Sequence, residues 1–305
     1  MSDTLTAPPT WRSLLFVPAN VEKFVEKAPA VGPDGVILDL EDAVAASEKA
    51  SARAVVPGVA ARLAKAGLDV TVRINRPWRL AVRDIEAVIG PDVTGLLLPM
   101  TDSAAHVQAV AEVVAEMERE RGMTVGSTVF VILVETAEGY LNAREIARAH
   151  PRVVAMSLGS EDFALSMHAT SGPEFLMSHK QQVAACARAA GITPMGFVAP
   201  ISEFRDLDAL RHAITLGKSI GMGGASCIHP NQVKLCNEIF GPSAAEIDSA
   251  RRIIEAYDEA LAKGLGAIVV DGKMVDVPIA EKAKRVLTLA EAIEARAEKR
   301  RTAAG

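Results

Sequence analysis

Residues 128–136 read TVFVILVET: six uninterrupted apolar residues, all but one β-branched or aromatic, closed by Glu135 and Thr136. A run that short and that uniformly apolar reads as a strand buried on both faces, because a half-solvated strand would alternate apolar with polar residues. Working outward, similar runs are SLLFVP from Ser13, GVILDL from Gly35, DVTVRIN from Asp69, VTGLLLPM from Val93, VVAMSLGS from Val153, MGFVAP from Met195 and, more weakly, SIGMGGASCIHP from Ser219, eight in all. Between them lie Ala-rich stretches such as SAAHVQAVAEVVAEMERERG and KQQVAACARAAG, whose apolar residues recur at helical spacing and whose ends carry Gly. Eight buried strands alternating with helices predict an α/β fold with a parallel sheet, closed most economically as a (β/α)₈ TIM barrel. A doubly wound open sheet is the alternative, and no GxGxxG follows the first run to support it.

The 305 residues suit one such barrel with an addition. The expected division is a barrel over 1–230 and a C-terminal helical extension and lid over 231–305, in which SAAEIDSARRIIEAYDEALAKG and PIAEKAKRVLTLAEAIEARAEKR bracket LGAIVVDGKMVDV. A barrel does not need that segment, so it is expected to cover the mouth or a neighbouring subunit.

Half of the residues are hydrophobic, which excludes a disordered or low-complexity chain. Thirty-three basic against 38 acidic residues give a net charge of -5, with no polybasic footprint for nucleic acid or anionic lipid, so small molecules are the expected partners. Cys186, Cys227 and Cys236 form no CxxC and read as free thiols of a reducing compartment. With no apolar leader in MSDTLTAPPTWRS and no long apolar run elsewhere, a soluble cytoplasmic protein is expected.

Active sites of such barrels lie at the C-terminal ends of the strands, so the residues that finish each run form the candidate set. These are Asp39, Glu41 and Asp42 after the second run, Arg73 and Asn75 in the third, Glu135 and Thr136 after the fifth, and Ser160, Glu161 and Asp162 after the sixth. Glu135 and Asp162 come from neighbouring strand ends and offer only oxygen donors, which suits a hard cation such as Mg²⁺. Each feature also has a plain reading, as solvated carboxylates and an ion-pairing arginine. Charge delivered by several strands to one mouth is nonetheless more than packing requires. His229, His168 and His179 are expected to be scaffold or pocket-shaping residues, and RAEKRR a solvated helix end.

Taken in order, RSLLFVPAN, GVILDLEDAV, TVRIN, VILVETAEGYLNAREIA, SLGSEDFALSM, EFRDLDALR, GGASCIHPNQV and DGKMVDVP resemble the citrate lyase β-subunit-like branch of the HpcH/HpaI aldolase family, from about Arg12 to Leu289. The combination of VRIN, VETAxG, GxEDF and CIHPNQ is specific where no single motif would be. The resemblance implies a Mg²⁺-dependent TIM barrel, with Mn²⁺ as an alternative ion, that makes or breaks a carbon–carbon bond between an acyl-CoA enolate and a 2-keto acid. It implies that Glu135 and Asp162 ligate the ion, with Asp39, Glu41 and Asp42 around metal-bound water and Arg73 beside the reacting oxygens. The aspartate of the family's GKMxD segment falls on Asp276, on a lid that reaches the site of an adjacent subunit in a homotrimer or hexamer. Arg12, Asn20 and Lys23 match the region that the family uses for coenzyme A phosphates. Met100 stands after Pro99 where many relatives have lysine, so any contact from that lysine is absent.

The expected reaction takes a 3-hydroxyacyl-CoA such as malyl-, methylmalyl- or citramalyl-CoA. Loss of the hydroxyl proton drives scission to a 2-keto acid and an enolate; Arg73 stabilises the enolate oxygen and Asp276 protonates its carbon. A malyl-CoA thioesterase and a citrate lyase β subunit acting on a carrier-protein thioester are alternatives. Outside enzymes stands a non-catalytic metabolite-binding barrel, against which the full set Arg73, Glu135, Asp162 and Asp276 speaks.

Overall fold

The computed structural model describes residues 9–304. The chain runs through β1 (Ser13–Pro18), α1 (Glu22–Val31), β2 (Gly35–Asp39), α2 (Lys49–Lys65), β3 (Asp69–Arg73), α3 (Trp78–Val88), β4 (Gly95–Leu98) and α4 (Ala104–Glu120). It continues with β5 (Val129–Val134), α5 (Ala137–Leu141), α6 (Ala143–Ala147), β6 (Val153–Leu158), α7 (Ser160–Ser166), α8 (Pro173–Ala189), β7 (Thr193–Met195), α9 (Leu207–Ser219), β8 (Ala225–Cys227) and α10 (Pro230–Phe240). Every pairing among β1–β8 is parallel, in the order β7-β6-β5-β4-β3-β2-β1-β8, and a bridge between Met195 and Gly224 joins the two ends. The predicted TIM-type barrel is therefore what forms.

Period-two alternation sorts each strand into an outer face against the helices and an inner face. Leu14, Ile37, Leu97, Val131, Leu133, Ala155 and Met195 meet in one buried cluster, with Phe16 packed on it. The last residues on the inner faces are charged or polar, and this change of chemistry along the strand separates a sealed core from a reactive mouth. On β2 and β3 the register pairs Asp39 with Arg73. At the opposite end Arg152 and Glu118, both almost fully buried, form an ion pair, and Glu118 also accepts the backbone N–H groups of Gly126 and Thr128 at 2.8 Å each. That network fixes the entry to β5.

Several boundaries differ from those predicted. β7 ends at Met195, where the predicted run began, and β8 is three residues within a run expected from Ser219, which instead closes α9. The stretch EDFALSMHATSGPEFLMSHK is mostly helical: it contributes to α7 and opens α8, whose Pro173 sits in the first turn, where proline is compatible with a helix. α10 likewise starts on proline, at the expected domain boundary.

The chain divides into two compact units, 1–239 and 240–305. In the second, α11 (Ala244–Ala262) begins with a capping box between Ser243 and Glu246. The predicted connector is an antiparallel hairpin of β9 (Ile268–Val270) and β10 (Lys273–Val275), turned at Asp271 and Gly272, both with positive φ. α12 (Val277–Ala304) follows. Tyr257, Val275 and Ala280, with Ile253, Ile254, Ile268 and Val270 against them, hold this unit together.

Candidate active site

The C-terminal mouth of the barrel opens into a cavity of about 440 Å³, whose walls include Phe16, Asp39, Asp42, Arg73, Glu135, Ser157, Gly159, Asp162, Lys180 and Ser226. The predicted strand-end acids and arginine thus converge. Arg73 is the hub. Its Nε and Nη2 donate to the two oxygens of Asp39 at 2.8 and 2.6 Å, and its Nη1 faces Glu41 at 2.9 Å and Asp42 at 3.0 Å. Asp39 in turn accepts the N–H groups of Glu41 and Ala43, so the loop after β2 is wound around the carboxylate that orients Arg73. The arginine also lies over the Phe16 ring, 5.0 Å from its centroid. Burial opposes the Arg73 charge, but the Asp39 hydrogen bonds and the three acids hold its pKa above the ordinary value. Its permanent positive charge is therefore fixed in direction.

Glu135 has the opposite character. It is 5% exposed, has no basic side chain in ion-pair contact among the described residues, and accepts the Met100 N–H on Oε2 at 2.7 Å. Burial pushes its pKa up to about 7, with the Asp162 charge adding to the rise against the Met100 hydrogen bond and the more distant Arg73. Gly159 packs directly on it, since a β-carbon there would lie 2.5 Å from Glu135 Cγ and 2.6 Å from Oε1. Only glycine permits that approach. Asp162, in the first turn of α7, is exposed on the same cavity. Burial likewise raises Glu41 to about 8, against the pull of Arg73.

Glu135, a buried carboxylate with no direct cationic partner among the described residues, is costly to ionise unless a cation joins it, and Asp162 on the same cavity could share that cation. Among the described residues no three His, Cys, Asp or Glu side chains group as a protein metal cage. An ion held by Glu135 and Asp162 would take its other oxygens from water or substrate, the habit of Mg²⁺.

Other candidates fall elsewhere. Asn75 is buried and spends its amide on Leu40 and Asp84, bracing two loops. Thr136 caps α5 through the Gly139 N–H. Asn20 and Lys23 are exposed, one after β1 and the other within α1. Arg12 precedes β1, at the end of the barrel away from the mouth, where its guanidinium forms a two-pronged bond to Asp34 at 2.8 and 2.9 Å. In the second unit Asp276 accepts the Ile279 N–H at 3.4 Å at the start of α12. His229 stacks on Phe204, His179 lies among Tyr140, Phe163 and Phe175, and Cys227 and Cys236 are free buried thiols, all as scaffold. Sequence reasoning missed Lys180, which lines the cavity; the signal was its place on the apolar stripe Leu176, Lys180, Val183, Ala184, Ala187 of α8.

Comparison with known proteins agrees with this architecture. Residues 12–230 match the family model of HpcH/HpaI aldolase/citrate lyase. The citrate lyase subunit beta of Leuconostoc mesenteroides subsp. cremoris is 33% identical over 284 residues, covering 92% of this chain and 93% of that protein. A (3S)-malyl-CoA thioesterase of Cereibacter sphaeroides is 36% identical over 292 residues, covering 93% and 96%. Among solved structures, CitE from Mycobacterium tuberculosis in complex with magnesium, acetoacetate and coenzyme A superposes with a TM-score of 0.71 at 28% identity, covering 93% of this chain and 99% of that one. With a family model spanning the barrel from Arg12 to the start of α10, and relatives aligned over more than nine-tenths of both chains, this chain belongs to the HpcH/HpaI aldolase/citrate lyase family.

Proposed function

We propose that the protein is a carbon–carbon lyase that cleaves or forms a 3-hydroxyacyl-CoA, giving an acyl-CoA and a 2-keto acid. The observation that carries this reading is the pairing, in one cavity, of an oriented arginine with two carboxylates that lack a basic side chain in contact among the described residues. Glu135 and Asp162 would hold Mg²⁺, with Mn²⁺ an alternative, and Asp39, Glu41 and Asp42 would order water around it. Magnesium and coenzyme A are bound in the CitE complex. When bound, the ion supplies Lewis-acid polarisation of the substrate's hydroxyl and carboxylate oxygens.

Arg73 is positioned to stabilise the enolate oxygen left by scission, because its charge is permanent and the Asp39 fork leaves little reorganisation to perform. Leu97 and Leu133 belong to the buried cluster inside the barrel. Asp276 is the proposed proton donor to the enolate carbon, delivered to the mouth of a neighbouring copy by the hairpin arm of a trimer or hexamer. Asn20 and Lys23, at and just beyond the β1 exit, are the proposed coenzyme A phosphate contacts. Arg12 lies at the other end of β1 with its fork on Asp34, and is not part of the proposed contact.

A thioesterase is the second reading, favoured by the 36% identity to the (3S)-malyl-CoA enzyme. The deciding experiment incubates protein and Mg²⁺ with malyl-, methylmalyl-, citramalyl- and citryl-CoA and identifies products by mass spectrometry. Acyl-CoA with an equal amount of keto acid establishes the lyase, free CoA with an intact hydroxy acid establishes the thioesterase, and no turnover of any ester removes both.

A further inference from the structure

The cavity has a second pole that the proposed chemistry leaves unused. Lys180 is 3% exposed, yet lines the cavity from α8, and among the described residues it has neither an ion pair nor a hydrogen bond. On the other wall Asp39, Glu41 and Asp42 engage Arg73. Burial alone, with no compensating carboxylate, lowers the Lys180 amine to about 8, so most of it still carries charge at neutral pH. Buried charges are ordinarily paired. An ammonium left without an acid, in a cavity that holds five acidic side chains on its walls, is placed for an anion that arrives from outside.

The surroundings fit that purpose. Gly196 has φ +136, and a β-carbon there would lie 3.3 Å from Lys180 Nζ and 3.9 Å from Ser157 Oγ. A side chain at 196 would therefore fill the space in front of the ammonium, which glycine leaves open toward the cavity. Ser226 lines the same cavity, and its Oγ is buried with no hydrogen-bond partner among the described residues. These groups lie on or beside β6, β7 and β8, whereas Glu135 follows β5. Two strand spacings separate Glu135 from the β7 side, roughly 10 Å. A four- or five-carbon diacid, with a hydrogen bond at each end, spans about that distance.

We infer that Lys180, with the hydroxyls of Ser157 and Ser226, forms a second carboxylate subsite that selects a keto acid bearing an additional carboxylate remote from the reacting centre. Lys180 is thus a specificity-determining residue. This rests on the lyase reading in taking the cavity to be the keto-acid site.

The test is calorimetric titration, with Mg²⁺ present, of oxaloacetate and pyruvate, which share a 2-keto acid head and differ by one carboxylate, and of the longer 2-oxoglutarate. Wild-type protein is expected to bind at least one of the diacids 10-fold or more tighter than pyruvate. Lys180→Met, which keeps the shape and drops the charge, should lose about 10-fold to 100-fold of diacid affinity while pyruvate changes less than twofold. Lys180→Arg should keep part of the preference. A readout on unmodified protein guards against a variant that does not fold: reductive methylation followed by peptide mass spectrometry should show Lys180 protected by the preferred diacid and not by pyruvate. Equal binding of pyruvate and the diacids by wild type, or an unchanged preference in Lys180→Met, overturns the subsite and leaves the lyase reading standing. Failure of all three keto acids to bind wild type overturns both.

Discussion

The backbone N–H of Met100 donates to Glu135 Oε2 at 2.7 Å from a residue held at φ 47, a left-handed conformation that a side chain disfavours. The strain and the hydrogen bond belong together, because this backbone turns the N–H after β4 toward the carboxylate after β5. Met100→Val, adding a β-branch at positive φ, is expected to cost about 1–3 kcal/mol in urea denaturation. It should also weaken divalent-ion binding. Met100→Gly should keep ion affinity within a few-fold and leave stability equal or improved, and weaker ion binding in the glycine variant would break the link between this backbone and Glu135.

Glu135 and Glu41 carry folded-state pKa values of about 7 and about 8, above the unfolded carboxylate range. The folded, ion-free protein therefore holds protons that the unfolded chain releases, and these groups make it less stable as pH rises from about 5 to 8. Melting temperature without divalent ions should fall across that window, and Glu135→Gln should remove part of the fall. Added Mg²⁺ should restore stability most at the alkaline end. Glu135→Gln or Asp162→Asn, like excess EDTA, should abolish turnover while the far-UV spectrum stays native.

Replacing Arg73 by lysine keeps the charge but cannot reproduce the fork onto Asp39. A fall in kcat of about 10²-fold or more is expected, the scale of a lost oxyanion donor. Steady-state kinetics would contradict the assignment if Arg73→Lys raised KM alone.

Buried Glu118 is held at about 2; burial works against this, but the Arg152 bond and the Gly126 and Thr128 N–H groups overcome it. Its contribution is fully present above about pH 4.5 and is lost as pH falls toward 2. At neutral pH that contribution is on the order of 3 kcal/mol. Glu118→Gln should lower stability by about 3–5 kcal/mol, because Arg152 is left buried without its counter-charge. Equilibrium denaturation at pH 3, 5 and 7 reads it, and the variant should show a smaller acid-dependent loss than wild type.

Asp276→Asn separates two roles for one carboxylate. As proton donor it should lose about 10²-fold or more in kcat with ion and coenzyme A affinity nearly unchanged, and Asp271→Asn should do much less. As a cap on α12, which its contact to Ile279 resembles, it should lose about 1 kcal/mol of stability and little rate. Mixing Asp276→Asn with Glu135→Ala protein should recover activity if sites are shared between copies. Sedimentation at micromolar concentration should show an oligomer, and a monomer would exclude the shared site.

The barrel was legible because strands buried on both faces must be uniformly apolar, and VFVILV or GVILD has no other economical place. Legibility failed where strands shrink to three residues: around β7 and β8, Gly196, Gly223 and Gly224 dilute the apolar signal, so the predicted runs drifted from the paired segments. Pro173 and Pro230 each begin a helix, as the first turn allows. At the mouth, strand-end position located Asp39, Arg73, Glu135 and Asp162 because period-two alternation puts them on one inner surface or just beyond it. Asn75 and Thr136 satisfied the same rule but serve backbone groups. Lys180 escaped because it reaches the cavity from a helix, and the rule looked only at strands.

Asp39 and Arg73 are register partners on neighbouring strands, so the ladder that builds the barrel also aims its fixed positive charge. A slip of one residue between β2 and β3 would send one of the two to the opposite face and leave the other as a buried, unneutralised ion. A wrongly zipped barrel would therefore be inert and poorly held together, rather than active with altered taste in substrates. Turnover in this protein is consequently a proofreading signal for its own assembly: refolded material can be graded by specific activity, because molecules that react are molecules whose β2–β3 seam closed in the native frame.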